Sequence, residues 1–159
     1  MTKEEVKEKK LEKAFISHVS KLSKEDYDIS MIDFLSNRLL MIKVIEEGIP
    51  FQLFDKIYEL SPFPINYWSE VLHLSLKSLQ RYRQSLRQFD PIHSEKIIEI
   101  AEVIETGKNV FGSNDKFKLW LETPNFALGK SRPMDLLKYS YGKEMVLTEL
   151  GRIEHGILG

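Results

Sequence analysis

An all-α protein is what this sequence predicts, on three observations. From about Asn37 onward, apolar residues recur at three- and four-residue spacing, the period of a helix with one buried face. Nowhere do apolar and polar residues alternate long enough for a sheet. The apolar groups are separated by helix punctuation: Gly48 with Pro50, Ser61-Pro62-Phe63-Pro64, Asp90-Pro91 and Gly112.

Taken in order, Lys3 to Lys13 (KEEVKEKKLEK) carries five Lys, four Glu and two apolar residues. It reads as a solvated helix or a mobile tail. Ala14 to Phe34 has a mixed pattern that fixes no element. Leu39, Leu40, Ile42, Val44 and Ile45 predict a first helix, stopped by Gly48. Phe51, Leu53, Phe54, Ile57 and Tyr58 predict a second, and Asn66 to Leu72 a third. A fourth runs from about Ser75 to Leu86, with Leu76, Leu79, Tyr82 and Leu86 facing inward. Asp90 as N-cap and Pro91 in the first turn open a fifth, in which Ile97, Ile100, Ala101 and Ile104 are spaced for burial up to about Val110.

After Gly112 the grammar changes. Asn114 or Asp115 is expected to cap a short helix bearing Phe117, Trp120 and Leu121, ended by Thr123-Pro124. Trp120 is assigned to the core by its spacing. Asn125 to Arg132 reads as irregular, Pro133 to Leu137 as a short helix, and Gly142 to Ile153 as the last one. This terminal block is too small to bury a strong core alone, so it is expected to pack on the preceding helices, a second copy or a partner. The division is therefore 1–36 (charged N-terminal segment, mobile or helical), 37–109 (helical domain) and 110–159 (small helical block).

Composition narrows the class. The chain has 159 residues, 42% of them hydrophobic, enough for one helical domain or two small ones. Cysteine is absent, which removes disulfides and thiolate metal sites and fits a cytoplasmic protein. No apolar run approaches the ~20 residues a membrane span needs. The charged N-terminus lacks the pattern of a secretory signal. With 23 basic and 24 acidic residues, total charge gives no sign of a nucleic-acid partner, so the distribution has to be examined.

Asn66 to Arg87 folds naturally as helix, tight turn, helix, with Leu72-His73-Leu74-Ser75 as the turn and Ser75 as the cap of the second helix. Between Glu70 and Asp90 there is no acidic residue, yet Lys77, Arg81, Arg83 and Arg87 all fall there. At 100° per residue, Lys77, Gln80, Arg81, Gln84 and Gln88 lie opposite the apolar face. Long cationic and amide donors without carboxylates suit a major groove lined by phosphates and base edges. The same residues also read as an ordinary solvated face. His73 stands where such turns usually carry glycine.

No catalytic constellation emerges. His18, His73, His93 and His155 are scattered without the i, i+4 pairing of a helical zinc site, and there is no phosphate loop or nucleophile motif. No enzyme activity, metal or cofactor is expected. Glu149 and Glu154 near His155 read as a surface cluster.

The C-terminal block carries a more specific pattern. Val110-Phe111-Gly112, Trp120-Leu121, Thr123-Pro124-Asn125, Leu128-Gly129, Pro133, Asp135-Leu136-Leu137, Gly142 and Arg152-Ile153-Glu154-His155-Gly156 occur in that order. The block resembles the toxin-binding domain of the Xre/MbcA/ParS antitoxin family. Upstream, Glu47-Gly48-Ile49-Pro50, Leu79-Gln80-Arg81 and the helix after Pro91 resemble that family's Xre-type helix-turn-helix domain. The resemblance implies a type II antitoxin that binds a RES-domain, NAD-depleting toxin through its C-terminal domain. It also implies a homodimer that represses its own operon by binding operator DNA. Two departures stand out. Lys130 replaces the second glycine that usually follows Leu128-Gly129, which is expected to change that loop's shape or partner preference. Gly151, costing roughly 1 kcal/mol relative to Ala inside a helix, is expected to end the last helix early and release Arg152 to Gly159 as a flexible arm. On that reading Arg152, Glu154, His155, Gly156, Leu158 and Gly159 contact the toxin, Arg152 by bidentate bonds. The competing reading of Arg152 is a surface ion pair with Glu149. Two other functions remain open on sequence: a DNA-binding regulator without a toxin, and a helical scaffold without a DNA role.

Overall fold

The computed structural model describes residues 1–23, 31–85 and 87–156. Its helices are α1 (Lys3–Ser23), α2 (Met31–Ser36), α3 (Arg38–Glu47), α4 (Phe51–Leu60), α5 (Ile65–Leu72), α6 (Leu76–Ser85), α7 (Pro91–Phe111), α8 (Asn114–Glu122), α9 (Pro133–Leu136) and α10 (Ser140–Glu154), with a 3₁₀ turn at Phe126–Leu128. Among the described residues the only β pairing is two isolated bridges, Pro50 with Gln88 and Asn125 with Ser131. The all-α expectation holds. None of the described helices is long and apolar enough to cross a membrane.

Packing divides the chain into two compact units, residues 1–60 with 74–98, and 61–73 with 99–159. In the first unit, α1 packs on α3 and α4. Its charged sequence hides two apolar residues one turn apart, Phe15 and Val19, both fully buried. Phe15 meets Phe34 edge to face with ring centroids 4.1 Å apart. The N-terminal segment is thus a docked helix through Ser23, not a tail.

Asn37 caps α3 by accepting from the Leu40 amide at 3.1 Å. The buried stripe of α3 is Leu40, Met41 and Val44. Leu39 (80% exposed) and Ile42 (50%) face outward, against the sequence expectation. Six apolar residues in α3 offer more than one face, and only one can be buried.

Beyond α3, Gly48 turns the chain at φ +89°, and a Cβ there would lie 2.4 Å from the Phe89 carbonyl oxygen. That close approach lets the Phe89 amide donate to the Ile49 carbonyl at 2.9 Å. Phe89 then gathers Phe54 (5.2 Å), Tyr82 (4.7 Å) and Phe51 (6.0 Å) around itself. The buried Ser94 hydroxyl accepts from the Ile49 amide (2.9 Å) and donates to the Phe89 carbonyl (3.3 Å), so neither backbone group is orphaned. Asp90 caps α7 as expected, accepting from the His93 amide at 2.9 Å.

The second unit joins α5 and the later part of α7 to α8, the 3₁₀ turn, α9 and α10. This resolves how so short a terminal block obtains a core: it packs on preceding helices. Trp68, Leu72, Ile100, Val103, Phe117, Leu121, Leu137, Val146 and Leu150 are buried. A Cβ at Gly107 would meet the Phe117 ring at 2.2 Å, so this glycine lets the ring lie against α7. Ser113, not Asn114 or Asp115, caps α8, accepting from Lys116. Trp120 is half-buried against Phe111 and Phe117, at the margin of the core rather than inside it. The α5 residue Tyr67 donates its buried hydroxyl to the Met134 carbonyl at 2.6 Å. Burial first, then the nearby Asp135 and Glu70 carboxylates, raises the pKa of that phenol.

Asn125 to Arg132 is more regular than its sequence suggests. The Asn125 side chain accepts from the Ala127 amide at 2.9 Å, and its backbone carbonyl accepts from Lys130 at 2.9 Å. Closing this loop takes two consecutive left-handed residues, Gly129 (φ +67°) and Lys130 (φ +64°). A second glycine would fit there at little cost, and Lys130 adopts the conformation with a penalty. His73, at φ +52° and ψ +37° after α5, is in the same position. His73→Gly and Lys130→Gly are each expected to stabilise the fold by up to about 1 kcal/mol, seen as a melting temperature ~2–4 °C higher.

Candidate functional site

Two surfaces stand out, one in each unit. The first is α6. Ser75 opens it, its hydroxyl accepting from the Ser78 amide at 3.0 Å, which confirms the expected cap. Leu79 is buried and Tyr82 half-buried, whereas Leu76, in the first turn of the helix, is 49% exposed. Leu86 lies outside the described residues.

The four cations of this segment divide by partner. Arg83 donates to Asp55 at 2.9 Å and lies 5.4 Å over the Phe51 ring. Arg87 covers the Tyr82 ring at 5.4 Å. Lys77 and Arg81 are exposed, and their side chains form no ion pair among the described residues. With Gln80 and Gln84 they occupy one outward stripe of α6 at i, i+3, i+4 and i+7. Gln88 does not share it. α6 ends at Ser85, and Gln88 sits in the bridge with Pro50, because the chain must turn there to bring Phe89 into the core.

The second surface is the outer side of the C-terminal helices. At Gly142, α10 lies close against the end of α9: a Cβ there would lie 1.9 Å from the Leu136 carbonyl oxygen. Next to it, Lys143 is buried and pairs with Glu102 at 2.9 Å and Glu144 at 3.3 Å. Burial disfavours the Lys143 ammonium, but the two carboxylates outweigh it and hold its pKa above the ordinary lysine value.

α10 continues through Gly151 to Glu154, which corrects the expectation of an early end. Gly151 has open space around it and keeps helical geometry. Of the six residues expected to reach a toxin, Arg152 and Glu154 are exposed on the helix, and His155 and Gly156 (φ +68°) follow it, also exposed. Arg152 lies 3.7 Å from Glu149, the surface pair that the sequence offered as its alternative. Leu158 and Gly159 fall outside the described residues.

Sequence reasoning passed over two features here. Tyr141 (90% exposed) and Met145 (46%) stand one turn apart on the outside of α10, and Phe126 (85%) opens the neighbouring 3₁₀ turn. A helical wheel of α10 carries the signal, since Tyr141 and Met145 fall off the stripe made by Gly142, Lys143, Val146 and Leu150.

Residues 106–156 match the antitoxin Xre/MbcA/ParS C-terminal toxin-binding domain, and residues 40–102 match the antitoxin Xre-like helix-turn-helix domain. The chain belongs to the Xre/MbcA/ParS antitoxin family. Two relatives agree with this. It is 28% identical over 116 residues to Antitoxin Xre of Photorhabdus laumondii subsp. laumondii, covering 72% of this chain and 78% of that protein. It is 29% identical over 124 residues to Antitoxin Xre of Yersinia enterocolitica serotype O:8 / biotype 1B, covering 77% and 83%. This Xre-family chain therefore combines the two modules of a toxin–antitoxin antitoxin. α1 precedes both matched regions and is an addition to them.

Proposed function

We propose that this Xre-family antitoxin neutralises a RES-type, NAD-depleting toxin and represses its own operon as a homodimer in the cytoplasm, acting by binding and catalysing nothing itself. In this reading residues 110–159 hold the toxin, with Arg152, Glu154, His155, Gly156, Leu158 and Gly159 entering or covering its active site. Residues 37–109 bind operator DNA, and 1–36 brace them. The observation that carries the toxin half is the match of residues 106–156 to a toxin-binding domain, with those residues exposed as far as Gly156. Co-expression with the protein encoded by the neighbouring reading frame tests it: the full chain restores growth, and a chain ending at Gly151 does not. The truncation stops there because Leu150 is fully buried and removing it would damage the core. Equal protection by the truncated chain rules out the terminal residues as the blocking element.

For DNA, the division among the cations supports α6 as the reading helix. Lys77 and Arg81 are uncommitted among the described residues, while Arg83 is tied to Asp55. Lys77→Ala with Arg81→Ala is expected to abolish binding to a duplex taken from upstream of the gene. Each lost phosphate contact lowers the salt slope of binding by about one. Arg83→Ala leaves affinity nearly unchanged. Wild-type binding that is undetectable or insensitive to salt refutes the DNA role.

A further inference from the structure

Tyr141, Met145, Thr148 and Arg152 recur at i, i+4, i+7 and i+11, so they form one stripe along α10, and all four are exposed. The opposite side of the helix is spent on the core, through Gly142, Lys143, Val146 and Leu150. A single exposed apolar residue needs no explanation. Here a tyrosine 90% exposed and a methionine 46% exposed are stacked one turn apart, and the 3₁₀ turn that packs against α10 buries Leu128 while leaving Phe126 85% exposed.

Tyr and Met are the residue types that concentrate in protein–protein interfaces. Tyrosine brings a large, rigid contact area, and methionine adapts to an irregular groove. An amphipathic helix whose outward stripe bears large side chains at i and i+4 is built for helix-in-groove recognition. Arg152, the one cation of the stripe, stands at its far end beside Glu149, and the flank carries the exposed Glu144, a balance of charge that disfavours phosphate and so nucleic acid. The stripe runs without a break into Arg152 and on to Gly156.

We propose that Tyr141 and Met145 are the anchors by which α10 docks into an apolar groove on the toxin protein, supplying the affinity that holds the following residues in place. This rests on the reading of the chain as a toxin neutraliser, and on α10 lying within the region matched to a toxin-binding domain. Affinity and blocking are then carried by successive parts of the chain: Tyr141 and Met145 grip, and the residues from Arg152 onward obstruct.

The test uses the full chain and the separately purified protein of the adjacent reading frame, with binding measured by calorimetry. Tyr141→Ala with Met145→Ala is expected to weaken binding at least ~100-fold, as two central anchors do. Its melting temperature and operator binding stay at wild-type values, because neither side chain is in the core. The chain ending at Gly151 keeps both anchors, Tyr141 and Met145, and is expected to bind the toxin within about tenfold of wild type while no longer protecting cells. Wild-type affinity in the double variant overturns the anchor assignment and leaves the neutraliser reading standing. Failure of the wild-type chain to bind overturns both. If the double variant keeps toxin affinity but turns a wild-type dimer into a monomer, the stripe is a self-association surface and the proposal is wrong.

Discussion

Replacing Gly142 by alanine is expected to destabilise the second unit by about 3 kcal/mol or more, the upper end of what overpacking costs. The new methyl group would stand 1.9 Å from the Leu136 carbonyl oxygen, 2.6 Å from its carbonyl carbon and 2.9 Å from its Cβ. Two of those atoms are backbone, so no rotamer change relieves the clash, and α10 has to move away from the end of α9. Moving it disturbs Val146 and Leu150, both fully buried, and the pairing of Lys143. The same helix supplies its own control. Gly151 has nothing within 4 Å of an added Cβ, so Gly151→Ala gains only helix propensity, up to about 1 kcal/mol. Two identical substitutions nine positions apart should therefore shift the melting temperature in opposite directions, down by ~6–12 °C and up by ~2–4 °C. Similar shifts for both would mean that the approach of Gly142 to Leu136 is not what holds α10.

The contrast also shows which part of the molecule was legible in the sequence. Glycine and proline punctuation located the helix ends well, because a left-handed turn or a missing amide leaves a local mark: Gly48, Asp90-Pro91 and Thr123-Pro124 all fall where expected. Gly142 was visible only as one anchor in a family-like series, and its physical reason is a contact with a neighbouring helix that no local pattern encodes. Gly151 was given too much weight, because propensity alone does not end a helix whose other residues pack.

Which way a helix faces was the less legible quantity. The lysine- and glutamate-rich start of α1 looks solvated, yet Phe15 and Val19 are enough to dock it on α3 and α4. Leu39 and Ile42 look buried and are not, because α3 has more apolar residues than one face can hold. The polar stripe Lys77, Gln80, Arg81 and Gln84 was read correctly as one surface. Gln88 failed because the helix period was carried past the end of α6. At α10 the outward position of Tyr141 was missed because the last helix was expected to begin at Gly142, whereas it begins at Ser140.

Lys143 offers the second large effect. A lysine in the interior has to be explained by its partner, and Glu102 is 41 positions away at 2.9 Å, with side-chain exposures of 9% for the lysine and 12% for the glutamate. Breaking such a pair from one side strands a desolvated charge, at about 3–5 kcal/mol, whereas removing both charges is often close to neutral. Lys143→Met is therefore expected to lower stability by about 3 kcal/mol, and adding Glu102→Gln to recover most of it. The sign with pH follows from the lysine, whose pKa in the folded chain is raised. Its contribution is fully present below the unfolded value, about 10.4, and is lost only as pH climbs through the folded one. The gap between wild type and Lys143→Met should be flat from pH 6 to 9 and close above about pH 10.4. A gap that instead closes at neutral pH would assign the stability to something other than this ammonium. Because the pair ties α10 to α7 within one unit, toxin affinity should fall with the single change and return with the double one. A variant that regains stability but not affinity would show that the lysine also positions the outer face of α10.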